Sequence, residues 1–196
     1  MKTKKTILLV GALGIIIALD SCKSKKSITK AEDEKEIILP FASSEYKSDN
    51  DNLRAVSSGH SPDLPTAQKI SMQNAQAKLA GMVKTMLNAA ARQYTNQSSI
   101  ANKQDYENKF EEQIWTFVNQ SLYNVKVLGE KTYQQKKDGS YNDWIAIQES
   151  KADLLAGLSS TISANEHLKL DYDEKKFGEA VDAEMAKMKA DQDSGK

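Results

Sequence analysis

The sequence predicts an α+β domain: a small antiparallel sheet, made of a short first strand and a long hairpin, packed against two long helices, with further helices towards the C-terminus. Two observations carry this. Apolar residues recur at three- and four-residue steps through Ala67, Ala75, Leu79, Met82, Val83, Met86 and Ala90, and again through Tyr106, Phe110, Ile114, Phe117 and Val118, which places each set on one face of a helix. Between Tyr123 and Ile147 the period falls to two, at Tyr123, Val125 and Val127 and then from Tyr141 to Ile147, on either side of Asp138-Gly139, and such alternation about a glycine turn marks a hairpin.

The first strand reads Leu53-Arg54-Ala55-Val56-Ser57-Ser58, alternating apolar and polar residues and stopping at Gly59. Ser61 or Asp63 then supplies a side-chain acceptor for the orphan amides of the first helical turn, and Pro62 and Pro65 fall where a missing donor costs little. The alanines of this first helix and Gly81 are small, which lets it lie close against a sheet or a neighbouring helix. Asn96 to Ser99 ends it, and the second helix, with larger side chains, packs beside it. Trp144-Ile145-Ala146-Ile147 forms the core-like centre of the returning strand. Leu154, Leu155, Leu158 and Ile162 give a third helical stripe, Phe177, Val181, Met185 and Met188 a fourth, and a polar tail follows. There is no internal repeat.

Ahead of the domain, Lys2, Lys4 and Lys5 precede an apolar run of 13 residues from Ile7 to Leu19. A membrane-spanning helix needs about 20, so this segment suits export and removal rather than permanent crossing. The sole cysteine, Cys22, ends the stretch Leu19-Asp20-Ser21-Cys22, which resembles the lipobox of bacterial lipoproteins, with Asp20 departing from its usual small or apolar residue. The expected organisation is a signal segment at 1–21, a lipidated cysteine and flexible tether at 22–51, the α+β domain at 52–165, and a C-terminal helix and tail at 166–196. A coil of the tether's length spans roughly 30 Å. Within it, Ile37-Ile38-Leu39-Pro40-Phe41 is an apolar patch able to dock as an edge strand, since Pro40 excludes it from a central one.

Charge excludes some partners. The chain carries 27 basic and 27 acidic side chains, and such balance offers no concentrated basic surface for nucleic acid. With Cys22 acylated no thiol is left for a disulfide, so the packed core alone must hold the domain.

Several of these features occur together in one known family. Small residues at Ser57-Ser58-Gly59, the helix spacing Ala67, Ala75, Leu79, Ala80 and the hairpin Asp138-Gly139-Ser140-Tyr141 resemble the LPP-twenty family of bacterial envelope lipoproteins, whose domain is also similar to the N-terminal part of a flagellar assembly protein. The resemblance spans roughly residues 52 to 165. It implies an α+β sheet with helices on one face and no catalytic site. Where that family often has an arginine in mid-helix, this chain has Gln76, so no role of that cation carries over.

The expected ligand position is the turn after the first strand, with Ser57, Ser58, Gly59, His60 and Ser61. Helix N-terminal amides and hydroxyls there can hold an anion, with His60 adding charge below about pH 6.5. Capping alone also accounts for these residues, and Asp63 would repel an anion. No catalytic residue is expected, because His60 and His167 are the only histidines and neither sits in a context that activates a serine. No metal or cofactor is expected, since two distant histidines give no ligand spacing. Glu111-Glu112 and Asp171/Asp173 read as solvated surface, and Trp115 and Trp144 as packing residues or the lining of a groove for glycan or peptide. The Lys23 to Lys26 cluster suits anionic headgroups. The whole reading is an envelope lipoprotein, held in the bilayer by acylated Cys22 and more readily placed at the outer membrane facing the periplasm than at the cell surface. Its domain binds another envelope protein or stabilises an assembly; the alternative is a module that binds a small anion or a cell-wall fragment.

Overall fold

The computed structural model describes residues 37–121 and 125–194. The expected signal segment, Cys22, the tether as far as Glu36 and the strand residue Tyr123 lie outside them. From Ile38 onward the chain forms one unit. Its elements are β1 (Asn52–Ser61), α1 (Leu64–Gln97), α2 (Lys103–Ser121), β2 (Lys126–Gln134), β3 (Tyr141–Ser150), α3 (Lys151–Ser163), α4 (Glu166–Lys169) and α5 (Glu174–Ser194). The three strands form an antiparallel sheet in the order β1-β3-β2, so the fold is α+β with long helices.

The helix that organises this fold is α1. Asp63 accepts a hydrogen bond from the Thr66 amide at 3.0 Å to start it, with a proline in its first turn. Its buried stripe changes in size along its length: Ala67, Ser71 and Ala75 come first, then Leu79, Val83, Met86, Leu87 and Tyr94. The small end lies on β1 and β3, and the large end meets α2 and α5. Small side chains bring a helix close to a sheet, and larger ones fill the wider gap between helices.

Gly59 shows how close that approach is. The expected first strand stops at this residue, whereas β1 continues through it to Ser61, with Gly59 paired to Asp143 and Ser61 to Tyr141. The glycine serves helix packing rather than a turn: a Cβ here would collide with the Ala67 carbonyl and lie 2.5 Å from the Ser71 amide nitrogen. Gly139, by contrast, has φ +75° and does make the hairpin turn.

The sheet has two unlike faces. Leu53, Ala55, Ile145 and Ile147 join the core under the helices, and side chains alternate along a strand. The opposite face therefore carries Arg54, Val56, Ser58 and His60 of β1, Asn142, Trp144, Ala146 and Gln148 of β3, and Lys126, Gly129, Lys131 and Tyr133 of β2. Part of this back face is covered by residues 40–49, which the sequence assigns to the tether. Phe41, at φ 59°, is buried with its ring over Gly129, where a Cβ would lie 2.8 Å from the ring. Lys131 Nζ stands 5.1 Å from the ring centroid, and Tyr46 packs edge-on at 4.8 Å. The patch at 37–41 thus docks through one aromatic ring and not as a strand, because the missing side chain of Gly129 provides a seat for it; Ile37, Ile38 and Leu39 stay exposed. Arg54 fastens the segment by bonding Asp49 Oδ2 at 2.7 Å, the Lys47 carbonyl at 2.6 Å and Gln148 Oε1 at 2.8 Å. Burial pushes the Asp49 carboxyl up, but the Asp51 and Asn52 amides and Arg54 outweigh this and hold it below the usual range.

At the far end, Tyr94, Tyr106, Phe110, Tyr172 and Phe177 form an aromatic cluster joining α1, α2 and α5. Burial there pushes the Tyr106 phenol far above its ordinary value. The single-turn helix α4 has no counterpart in the sequence reading. It forms because the Asn165 side chain accepts from the His167 and Leu168 amides at 3.1 and 3.2 Å, while Leu168 is buried.

Gly59→Ala is expected to destabilise the domain by about 1–3 kcal/mol, the usual range for overpacking, read as a lower urea midpoint. Gly81→Ala, where an added Cβ meets nothing within 4 Å, is expected to leave the midpoint unchanged or raise it by up to about 1 kcal/mol.

Candidate functional site

The five residues expected to form a ligand-binding turn lie instead within β1. Ser57, Gly59 and Ser61 pair with Ile145, Asp143 and Tyr141 of β3, and their main-chain groups are spent on that ladder. Ser58 and His60 occupy the opposite face of the sheet, so the side chains do not converge. His60 is exposed, and its Nδ1 lies 2.7 Å from Asn142 Oδ1, a contact in which Nδ1–H donates to the amide oxygen. Ser61 is buried and accepts from the Asp63 amide at 3.1 Å. The helix N-terminus is occupied by the chain's own carboxylate: the Thr66 hydroxyl and amide both donate to Asp63 and hold it below the usual carboxylate range. A negative charge already sits where an anion would have to bind.

The most unusual polar group is one the sequence reading passed over. Asp143 is fully buried on the helix-facing side of β3. Thr132 Oγ1 of β2 donates to its Oδ1 at 2.7 Å, and Ser71 Oγ of α1 donates to its Oδ2. Beside it, Gln68 Nε2 donates to Glu130 Oε1 at 2.9 Å. The carboxylate therefore ties both hairpin strands to α1 at the point where Gly59 brings the helix in. Two signals in the sequence mark it: Asp143 shares its strand face with Ile145 and Ile147, and Ser71 interrupts the alanine stripe between Ala67 and Ala75. Aspartate is depleted in strands, so one at an inward position implies hydroxyl or amide partners.

This cluster is not brought together with a base. The sheet separates His60 from Ser71 and Asp143, and His167 stands at the opposite end of the unit, in a hollow of about 200 Å³ with Asp105, Tyr106, Lys109 and Asp171. Trp115 is exposed on α2 while Trp144 lies on the back of the sheet, so the two tryptophans share no groove. Glu111 and Glu112 are exposed, with Glu111 accepting from Asn88 Nδ2 at 3.4 Å. Asp171 gives its carbonyl to the Tyr94 hydroxyl, which in turn accepts from the Asp173 amide at 2.8 Å. Among the described residues no three carboxylate, histidine or cysteine side chains are grouped to hold a metal ion, and no helix is long and apolar enough to cross a membrane.

A hollow of about 380 Å³ lies beside the free edge of β1, between Phe41, Tyr46, Arg54, Val56, Lys78 and Met82. That edge is guarded. Ser48 Oγ accepts from the Arg54 amide at 2.9 Å, Lys78 Nζ donates to the Val56 carbonyl at 3.3 Å, and Asn74 Nδ2 donates to the Ser58 carbonyl at 3.0 Å.

Asp143→Ala is expected to cost about 2–4 kcal/mol, since it leaves the buried Ser71 hydroxyl and the Thr132 hydroxyl without their shared acceptor. In that background Ser71→Ala is expected to cost much less than it does alone, and a double-mutant cycle of denaturation midpoints measures the coupling.

No family model matches the chain, and no curated protein matches it.

Proposed function

We propose that this chain is a lipid-anchored protein of the bacterial envelope whose α+β domain binds another envelope protein and has no catalytic role. The observation that carries the reading is the order of features at 1–22: three lysines, a 13-residue apolar run too short to span, and a small residue directly before the only cysteine. Diacylglycerol on the Cys22 thiol and an acyl group on its amine exceed the two-chain threshold for stable anchoring. Lys23-Ser24 carries no aspartate directly after the cysteine, which favours the outer membrane, on its periplasmic side. The LPP-twenty resemblance belongs to the same reading.

The internal pairing of the domain's polar groups supports a binding role over a reaction. Asp143 is satisfied by two hydroxyls, and Asp63 is committed to capping. The residues expected to hold a small anion lie in a paired strand, and the helix start beside them is capped by Asp63, which supports protein binding over anion binding.

In-cell crosslinking followed by mass spectrometry tests this, with Cys22→Ser as control. The expected result is one abundant envelope protein captured by the wild-type chain and lost in Cys22→Ser, together with a shift of the variant out of the detergent phase. Unchanged detergent partitioning of Cys22→Ser would contradict the anchor. Absence of any reproducible partner would contradict the binding role.

A further inference from the structure

The two edges of the sheet are treated differently, and the difference points to where a partner binds. On β1 the outward main-chain groups include those of Arg54, Val56 and Ser58: Ser48 pairs both groups of Arg54, and Lys78 and Asn74 donate to the Val56 and Ser58 carbonyls. Main-chain bonds alternate in direction along antiparallel strands. Because Arg54, Val56 and Ser58 face away from β3, their β3 partners Gln148, Ala146 and Trp144 direct their own groups towards β2, to Lys126, Gly129 and Lys131. The amides and carbonyls of Glu130, Thr132 and Gln134 then point out of the sheet. Among the described residues nothing pairs with them, and most of β2 is exposed. An uncovered edge of this kind is a template for another strand.

The side chains along this edge select what can add. Glu130 and Thr132 face the helices, where Gln68 and Asp143 engage them. The back-facing residues of β2 are Lys126, Gly129, Lys131 and Tyr133. No strand residue from Asn52 to Ser61, Lys126 to Gln134 or Tyr141 to Ser150 places a carboxylate on that face, whereas Arg54, Lys126 and Lys131 place cations there. Residues 126 to 138 hold four lysines against Glu130 and Asp138, so a second copy of β2 would bring like charge against like charge, which is destabilising across a strand pair.

We infer that the outer edge of β2 is the domain's docking site for an extended acidic segment of another polypeptide, which adds to the sheet as a fourth strand. This deepens the interaction reading above by naming the surface and the partner's chemistry. The irregular register between Val127 and Gly129 absorbs one residue, so Lys126, Gly129, Lys131 and Tyr133 stand opposite successive alternate residues of β3. An incoming strand meets the two lysines with side chains four residues apart, and both must be acidic. The position between them meets Gly129 beside the Phe41 ring, and the position next to Tyr133 takes an apolar side chain.

The test uses the full chain in detergent micelles and a fluorescein-labelled peptide, Thr-Val-Thr-Glu-Thr-Val-Thr-Glu-Thr, which sets the acids against both lysines in the antiparallel sense. Saturable binding is expected, with hydrogen exchange at the Glu130, Thr132 and Gln134 amides slowed by the peptide. The double variant Lys126→Glu, Lys131→Glu is expected to weaken binding at least tenfold, and a peptide with lysine in place of both glutamates to regain it. Because Lys131 also sits over Phe41, Glu130→Pro serves as the second variant: it removes one outward donor, keeps the ladder to β3, and is expected to abolish binding while exchange at Lys131 and Tyr133 stays slow. Binding indifferent to these charge changes, peptide protection along β1 in place of β2, or self-association through β2 without peptide binding would each overturn the proposal. A cellular crosslink mapped outside residues 126–134 would overturn it too, while leaving the broader interaction reading intact.

Discussion

The seat of α1 on β1 at Gly59 is the contact on which the other elements depend. Because no side chain intervenes, the helix backbone at Ala67 and Ser71 lies directly on the strand, and this sets the depth at which Ala75, Leu79 and Val83 enter the core. That depth brings Ser71 within reach of Asp143 and places Asn74 and Lys78 over the outer carbonyls of β1. Farther along, the same helix axis carries Met86, Leu87 and Tyr94 away from the sheet into the layer formed with α2 and α5. A single glycine thereby sets both the packing of the core and the polar arrangement around it.

The arrangement leaves the sheet asymmetric in charge as well as in packing. Its inner face holds the carboxylates of Asp143 and Glu130 with their hydroxyl and amide donors. Its outer face holds Arg54, Lys126 and Lys131, partly roofed by Phe41 and Tyr46. Burying an aromatic ring contributes about 1.5–3 kcal/mol, and the three polar contacts of Arg54 add direction to that docking. The segment ahead of β1 is therefore part of the domain from Phe41 on.

The helices were legible in the sequence because their apolar periods are long and regular: the stripes through Ala67 to Ala90, Tyr106 to Val118 and Phe177 to Met188 lie in α1, α2 and α5. The hairpin was legible from Asp138-Gly139, since only the glycine there has positive φ among the glycines described. What misled was Gly59. A glycine after a small-residue strand reads as a stop, and local sequence does not distinguish a residue needed for its backbone freedom from one needed for its lack of a side chain. The same ambiguity applies to Gly129 and hid the docking of Phe41. The Asp143 cluster escaped because Ser71, Thr132 and Asp143 are far apart in sequence and each is ordinary alone; only the sheet register and the helix seat bring them together.

A domain that guards one sheet edge with its own side chains and leaves the other bare is arranged to pair on one side. Residue-resolved hydrogen exchange tests that account most directly. It predicts that the amides of Ser57, Gly59 and Ser61, paired to β3 beneath α1, exchange orders of magnitude more slowly than those of Glu130, Thr132 and Gln134. Rapid exchange at Gly59 and Ser61, equal to that of the β2 edge, would mean that the strand ends where the sequence first suggests and that α1 is not seated on it.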